Sequence, residues 1–491
     1  MANQYMQEED DAILKTYNRY PVVLDHGDGA YLYDPEGKKY LDFSAGYAVS
    51  SLGYNNKEFN DALKAQIDKM IHTSNLYYNT TCGKAGEDLK KITGMYKVFF
   101  TNSGGEAIEG AIKTARKYAY TKKTGRYEFI AMENSFHGRS MGAVALTGHK
   151  EYREPFEPVM PGVHFAIYND LDSVKALVND KTCAIILETI QGEGGINAAT
   201  KEFMQGIRKI CDENGILMIC DEVQCGMGRS GAWFAWQQMG ITPDIMTMAK
   251  AIGSGVPVGA FAMTKEVADN SLVPGDHGTT YGGNPLCCAA VSKTIEIFEK
   301  EHMLDHVNEI APYLTQKLQE IVDTCDAAVK VKGRGLIQGL QITKSLGEVT
   351  AKALEEGLLI IGAGTDVIRM IPPLVIGKEQ VDEMAEILKK AETLDSALPF
   401  WDAYSATPFF MPCGDGIDVE VAKGDGADTA VFVIARIAGE NKDRFDKEGD
   451  YFISAEEKAL LAQVCESYKD VVLVINTGGL MDLAFADEFT N

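Results

Sequence analysis

The 491 residues exceed what one compact core usually holds, so two or three domains are expected. Hydrophobic residues at 45 % and charged residues at 24 % are ordinary for a packed globular protein and exclude a disordered or fibrous chain. A net charge of −24 repels phosphate backbones and anionic bilayers, which excludes nucleic acid and membrane surfaces as partners.

Met1 to Asp11 reads MANQYMQEEDD, with neither the basic start nor the apolar run of a secretory signal. No stretch approaches the roughly 20 apolar residues of a membrane span. The ten cysteines contain no CxxC pair, read as buried thiols of a reducing cytoplasm, and call for no metal.

From about Gly94 to Ala262 short apolar runs alternate with amphipathic stretches, the pattern of a mostly parallel sheet with crossover helices. Strands are expected at 97–101, 128–133, 183–187, 217–220, 245–248 and 259–263, with helices at 106–120 and 201–214 among those between them. This predicts an α/β domain whose ligands gather at the carboxyl ends of the strands. After Thr280 one long helical pattern, 285–318, leads to a smaller α/β domain with strands near 329–333, 335–342, 358–361 and 367–370, closing near Glu392. Asp395 to Asn491 then carries 19 acidic and 7 basic residues behind a lead-in punctuated by proline and glycine, which marks a boundary.

Three stretches carry chemistry. Asn102-Ser103-Gly104-Gly105-Glu106 follows an apolar strand and opens a helix, so backbone N–H groups converge where a phosphate could sit; alone, such a turn is more often a plain connection. Asp221 follows the apolar strand Ile216 to Cys220, and a buried carboxylate there needs a cationic partner such as a pyridinium nitrogen; alone, it reads as a cap or an ion pair. Lys250, 29 residues further on, ends the run Asp244 to Ala249, and a lysine discharged by burial is the residue that forms imines. Phosphate turn, strand-end Asp and strand-end Lys, in that order, are what a bound pyridoxal phosphate requires.

These residues, with Gly29 to Asp34, Tyr40 to Phe43, Ser74 to Tyr78, Phe136 to Arg139, Gln191 to Gly195, Asp221 to Gly226 and Gly278 to Pro285, resemble the class III (ω-)aminotransferases of fold type I over roughly residues 12–392. Within that family the acetylornithine type is most similar. The resemblance implies a large cofactor domain at 61–284 with a central, mostly parallel sheet, and a small domain built from 1–60 and 285–392. It implies that Lys250 carries pyridoxal 5'-phosphate as a Schiff base and later shuttles a proton. Ser103, Gly104 and Gly105 would hold the phosphate, with Thr279 at the substrate side and Thr280 reaching in from the second subunit of a homodimer. Phe136 and Val223 would sandwich the ring, Asp221 would pair with its nitrogen and Gln224 with its phenolic oxygen. Arg369 would bind an α-carboxylate, with Glu193 as the switch that covers it for ω-amine donors, and Arg139 would grip the distal carboxylate.

The implied reaction is transfer of an amino group from N2-acetylornithine to 2-oxoglutarate, a step of arginine biosynthesis that is ping-pong through a pyridoxamine form. Ornithine, succinylornithine and 4-aminobutyrate are alternative donors, and Ser74 to Tyr78 with His137 favour the acylated one. Ile108 for a common Asn, Thr189 for Pro, Tyr54 for His, and one extra residue between Lys250 and Thr280 depart from the family pattern. Segments 427–440, 450–452 and 471–482 resemble a fragment of the α/β-sandwich domain of family 3 glycoside hydrolases, Glu440 falling near an acid/base position. A retaining glycosidase needs a second carboxylate roughly 5 Å away, and no counterpart of the family's barrel or nucleophile is present. A carbohydrate-related protein acting through 395–491, or a catalytically idle interaction protein, are the rival readings.

Overall fold

The computed structural model describes residues 2–392, 429–436, 461–462 and 470–477. After a helix at Ala2–Ala12, strands His26–Asp28 (β1), Tyr31–Tyr33 (β2) and Lys39–Asp42 (β3) form an antiparallel meander. The central strands follow: Lys97–Thr101 (β4), Glu128–Met132 (β5), Val163–Ala166 (β6), Thr182–Glu188 (β7), then, past a short hairpin of Ile190–Gln191 (β8) and Asn197–Ala198 (β9), Leu217–Asp221 (β10), Ile245–Met248 (β11) and Gly259–Met263 (β12). Seven of them make one sheet in the order β4-β12-β11-β10-β7-β5-β6. Strands β11 through β6 run parallel, while β12 is antiparallel to both neighbours.

Both faces of this sheet are covered, so β7 is buried at all seven positions and reads as an unbroken apolar run. Alternation sorts the side chains into two cores: Ile130, Ile185, Met218 and Met246 face one side, and Phe129, Ile186, Ile219 and Ile245 the other. The helix Gly104–Thr121 starts at Ser103, whose Oγ accepts the Glu106 amide at 3.2 Å, while the Glu106 carboxylate accepts the Asn102 amide at 2.8 Å. The helix Lys201–Asn214 is capped by Thr200 and ends on left-handed Gly215.

The expected helix over 285–318 is two helices, Pro285–Lys300 and Met303–Thr324. His302, at φ 51°, breaks the run, because a left-handed residue cannot continue a right-handed helix. Beyond it, Ala328–Arg334 (β13), Ile337–Ile342 (β14), Leu358–Leu359 (β15), Ile361–Ala363 (β16) and Val367–Met370 (β17) complete the small sheets. The expected strand at 358–361 is divided at Ile360: β15 pairs in parallel with β3, and β16 joins the sheet β13-β14-β17-β16. Strand β6 was not among the expected strands.

Contacts divide the chain into two units, Met1–Ala406 and Thr407–Asn491. In the second, Thr429–Arg436 (β18) and Asp470–Thr477 (β19) pair in parallel. Glu440, the punctuated lead-in and 450–452 lie outside the described residues. Among the described residues no helix is long and apolar enough to cross a membrane. The eight described cysteines are free, and all but the half-buried Cys82 are buried.

Candidate active site

A cavity of about 390 Å³ opens at the carboxyl end of the parallel strands. Ser103, Gly104, Gly105, Phe136, Asp221, Val223, Gln224 and Lys250 all line it, together with His137, Glu188 and Asn102. Register explains the convergence: Glu188 of β7 faces Asp221 of β10, which faces Thr247 of β11, so the strand ends form one row with Lys250 just beyond. The helix N-terminus at Gly104 forms one wall of the cavity. A Cβ on Gly104 would stand 2.9 Å from Val223 Cγ1, so the turn and the ring-facing valine are in close packing that any side chain would disrupt.

Asp221 is 4 % exposed, and three contacts hold its carboxylate while leaving Oδ2 room for one more donor. Its Oδ2 lies 2.7 Å from His137 Nδ1, and its Oδ1 accepts from the Val223 amide at 3.0 Å and the Thr247 hydroxyl at 3.1 Å. Burial opposes protonation of His137, yet its bond to Asp221 and that residue's charge hold the imidazole above its ordinary pKa. Glu188 accepts the amides of Phe136 at 2.9 Å and Gly192 at 3.1 Å; burial lifts its carboxyl to about 7, against the pull of His137. Burial pushes the Lys250 ammonium down to about 8, with Glu193 opposing and Arg369 adding to the shift. Lys250 also sits at φ 49°, a strained left-handed conformation that aims its side chain into the cavity.

Beside the cavity Arg369 is 1 % exposed and paired with Glu193 in a fork: Nη1 to Oε1 at 2.7 Å and Nη2 to Oε2 at 3.1 Å. Burial disfavours the Glu193 carboxylate, but Arg369, with Lys250 and Gln224, more than offsets this and holds it below the usual range. Arg369 also donates to Gln224 Oε1 at 3.1 Å and the Gly362 carbonyl at 3.0 Å, so Gln224 bridges the arginine to the cavity. Arg139 is exposed, its guanidinium carbon 4.0 Å from the Tyr152 ring centroid and 5.4 Å from that of Phe136, outside the lining. Thr279 accepts from Asn102 Nδ2 at 3.1 Å, next to the phosphate turn. Thr280 is exposed and does not line this cavity.

Sequence reasoning missed the contact of His137 with Asp221 and the place of Glu188. Glu188 had a signal, a carboxylate at a buried strand end like Asp221; His137 had only its position beside Phe136. Of the departures from the family pattern, Thr189 donates to Glu222 Oε1 at 2.6 Å, Tyr54 donates to Asp42 Oδ2 at 2.6 Å, and Ile108 is packed in the core.

The family model for class III aminotransferases matches residues 13–391. The chain belongs to the class III aminotransferases. It is 44 % identical over 379 residues to the acetylornithine aminotransferase of Aquifex aeolicus, covering 77 % of this chain and 99 % of that protein. Among solved structures it is similar to the ornithine aminotransferase of Toxoplasma gondii, with a TM-score of 0.76 at 29 % identity over 80 % of this chain and 94 % of that one. It is also similar to an amine transaminase from an uncultivated Pseudomonas species in its PLP-bound form, with a TM-score of 0.73 at 26 % identity over 78 % and 97 % of the two chains.

Class III aminotransferases depend on pyridoxal phosphate, and this aminotransferase has a cavity that fits it. A helix N-terminus suited to a phosphate, an anion positioned by three donors, and a lysine whose charge burial disfavours face one space of suitable size.

Proposed function

We propose that this aminotransferase moves the δ-amino group of N2-acetylornithine to 2-oxoglutarate, in two half-reactions at one site. The observation that carries the reading is the bidentate Glu193–Arg369 pair beside the cavity. A closed pair presents no free cation, which suits a donor whose reacting carbon bears no carboxylate. An open Arg369 presents the planar fork that an α-carboxylate requires. The acetylornithine aminotransferase identity of the Aquifex aeolicus relative supports the acylated donor.

Bound pyridoxal phosphate supplies a carbonyl for the amine and a ring that withdraws electrons from the reacting carbon. The chain's residues do the rest. Ser103, Gly104 and Gly105 would hold the phosphate, and Phe136 and Val223 would pack on the two faces of the ring. Asp221, oriented by His137 and Thr247, would hold a proton on the ring nitrogen, and Gln224 would donate to the phenolic oxygen. Lys250 Nζ, its charge weakened by burial, would bind the cofactor and then carry the proton from the substrate carbon. Arg139 would meet the distal carboxylate at the mouth, and Thr279 would border the substrate.

The same proposal includes a homodimer in which Thr280 reaches the phosphate of the partner subunit. Leu76, Tyr77, Tyr78 and Tyr281 are apolar and exposed, Leu76 by 87 %, close in sequence or structure to that loop. Free, buried thiols support a cytoplasmic location. Residues 395–491 are proposed to be an appended piece similar to part of a glycoside-hydrolase sandwich, supported by the parallel pair β18 and β19.

The test is the rate of the first half-reaction across acetylornithine, succinylornithine, ornithine and 4-aminobutyrate, followed by visible absorbance. Acetylornithine is expected to lead by at least about tenfold in kcat/KM. Glu193→Ala should raise the rate with glutamate relative to acetylornithine by a similar factor. An unchanged ratio removes the switch from the mechanism, and a lead by another donor reassigns the substrate.

A further inference from the structure

The hairpin that carries Glu193 lies in a slot of the small sheet. Lys332 of β13 faces Gly339 of β14, and Gly339 faces Arg369 of β17, so the three form one row whose side chains leave the same face. Gly339 contributes none. A Cβ there would stand 2.5 Å from Val367 Cγ1 and 3.1 Å from Ile196 Cγ1, so Val367 of β17 and Ile196 of the hairpin together fill the space over Gly339. The hairpin tip therefore runs along the row. At one end Glu193 is held by Arg369; at the other, a Cβ on Gly195 would lie 3.5 Å from Lys332 Nζ.

The two cations differ in what holds them. Arg369 is committed to Glu193, Gln224 and the Gly362 carbonyl. Among the described residues no hydrogen bond or ion pair ends on the Lys332 ammonium. Burial and the neighbouring Lys330 disfavour its charge, and the carboxylate that attracts it, Asp366, is itself bonded to Gln341 Nε2 at 2.6 Å. A half-buried cation without a partner, beside a loop whose carboxylate must be released during turnover, is an open position in the electrostatics of the switch.

We propose that Lys332 receives the Glu193 carboxylate when a substrate α-carboxylate occupies Arg369. This rests on the switch reading above and adds where the displaced glutamate goes. A carboxylate released into a half-buried loop without a counter-ion would drive the equilibrium back to the closed pair; Lys332 stabilises the open arrangement by offering a second cation along the same row. The backbone is suited to the exchange. The Glu193 carbonyl is pinned by the Gly364 amide at 2.8 Å, and a Cβ on Gly192 or Gly194 would stand 2.1 Å from Gln224 Oε1 or 2.3 Å from the Asn134 carbonyl, so the flanking backbone is held in place and the side chain can swing about a fixed point. Lys332 is thus a positioning residue, acting on substrate through Glu193.

The experiment measures both half-reactions of the holoenzyme separately, for the native chain, Lys332→Met and Lys332→Arg, each also in a Glu193→Ala background. Lys332→Met is expected to raise the KM for 2-oxoglutarate about fivefold, the size of a partly exposed ion pair, with kcat little changed. The acetylornithine half-reaction, which uses the closed pair, should shift by less than about twofold, and Lys332→Arg should restore the native KM. In the Glu193→Ala background the substitution should have no effect, because no carboxylate remains to be received. Equal shifts in both half-reactions, no shift at all, or a shift that persists without Glu193 would overturn the role of Lys332. If Glu193→Ala itself leaves the donor ratio unchanged, the switch reading fails and this inference with it; a normal Glu193→Ala response with a silent Lys332→Met sinks the inference alone.

Discussion

The places of Asp221 and Lys250 in the cavity lining were legible because one ends an apolar strand and the other lies just past one, where a charged side chain is costly unless it has a partner. What the sequence did not reveal is how Asp221 is positioned: the His137 contact spans 84 residues and depends on strand order, which local pattern does not encode. Replacing Lys250 with Ala should lower transamination by at least roughly 10³-fold while weak cofactor binding through the phosphate turn persists, as read by the shift of the visible band and by equilibrium dialysis. Native turnover in that variant would remove Lys250 from the chemistry. The buried carboxyls make a second, pH-dependent prediction. Glu222 accepts the amides of Ala235 at 2.8 Å and Trp236 at 3.0 Å, and burial lifts it to about 7, as it does Glu188. The folded value lies above the ordinary 4.5, so the native state keeps a proton that the unfolded chain releases. The stability contributed by this protonation is full below about 4.5 and is lost as pH rises through about 7, by roughly 1 to 3 kcal/mol per group. In the cofactor-free protein Glu222→Gln, which cannot titrate, should therefore show a smaller drop in Tm between about pH 5 and pH 7.5 than the native chain. Parallel curves would mean that Glu222 stays ionised throughout.

At the scale of elements, the strands of the central sheet were readable where both faces are buried, because apolar runs of β-formers bounded by turns have few other solutions. The edge strand β6 was not, since its Val163, His164 and Phe165 are only partly buried and its pattern is short. The division at Ile360 was hidden for a different reason: the run is uniformly apolar, and pairing with two different sheets leaves no mark on composition. The break at His302 was hidden because helix ends are usually signalled by glycine or proline, and neither is present. That position yields a test. His302 holds φ 51° with an exposed side chain, a conformation that costs a β-carbon about 1 kcal/mol and glycine much less. His302→Gly should stabilise the protein by about 0.5 to 1 kcal/mol, visible as an upward shift of the urea midpoint with an unchanged m-value. A loss of stability would mean that the ring makes a contribution larger than the strain it imposes.

At the scale of the whole molecule, the first 390 or so residues account for nearly all of the Aquifex aeolicus relative, 99 % of whose length is matched within 77 % of this chain. The family model likewise ends at residue 391. Every residue assigned to chemistry lies between Ser103 and Arg369, and Glu193, Arg369 and Lys332 are positioned by strands and loops that end well before Glu392. The acidic remainder raised the net charge and the expected number of domains without adding a recognisable site, which is why its role could not be inferred from the same patterns that disclosed the cofactor cavity. A chain ending at Glu392 should therefore retain its cofactor absorbance, the oligomeric state of the native chain and its kcat/KM for acetylornithine within about twofold, since appended units usually make modest contacts with their neighbours. Size-exclusion chromatography, the amplitude of the visible band and steady-state rates on native and shortened chains decide the matter. A lower oligomeric state or loss of the cofactor in the shortened chain would show that residues beyond 392 complete the aminotransferase itself, and the boundary would have to move toward the C-terminus.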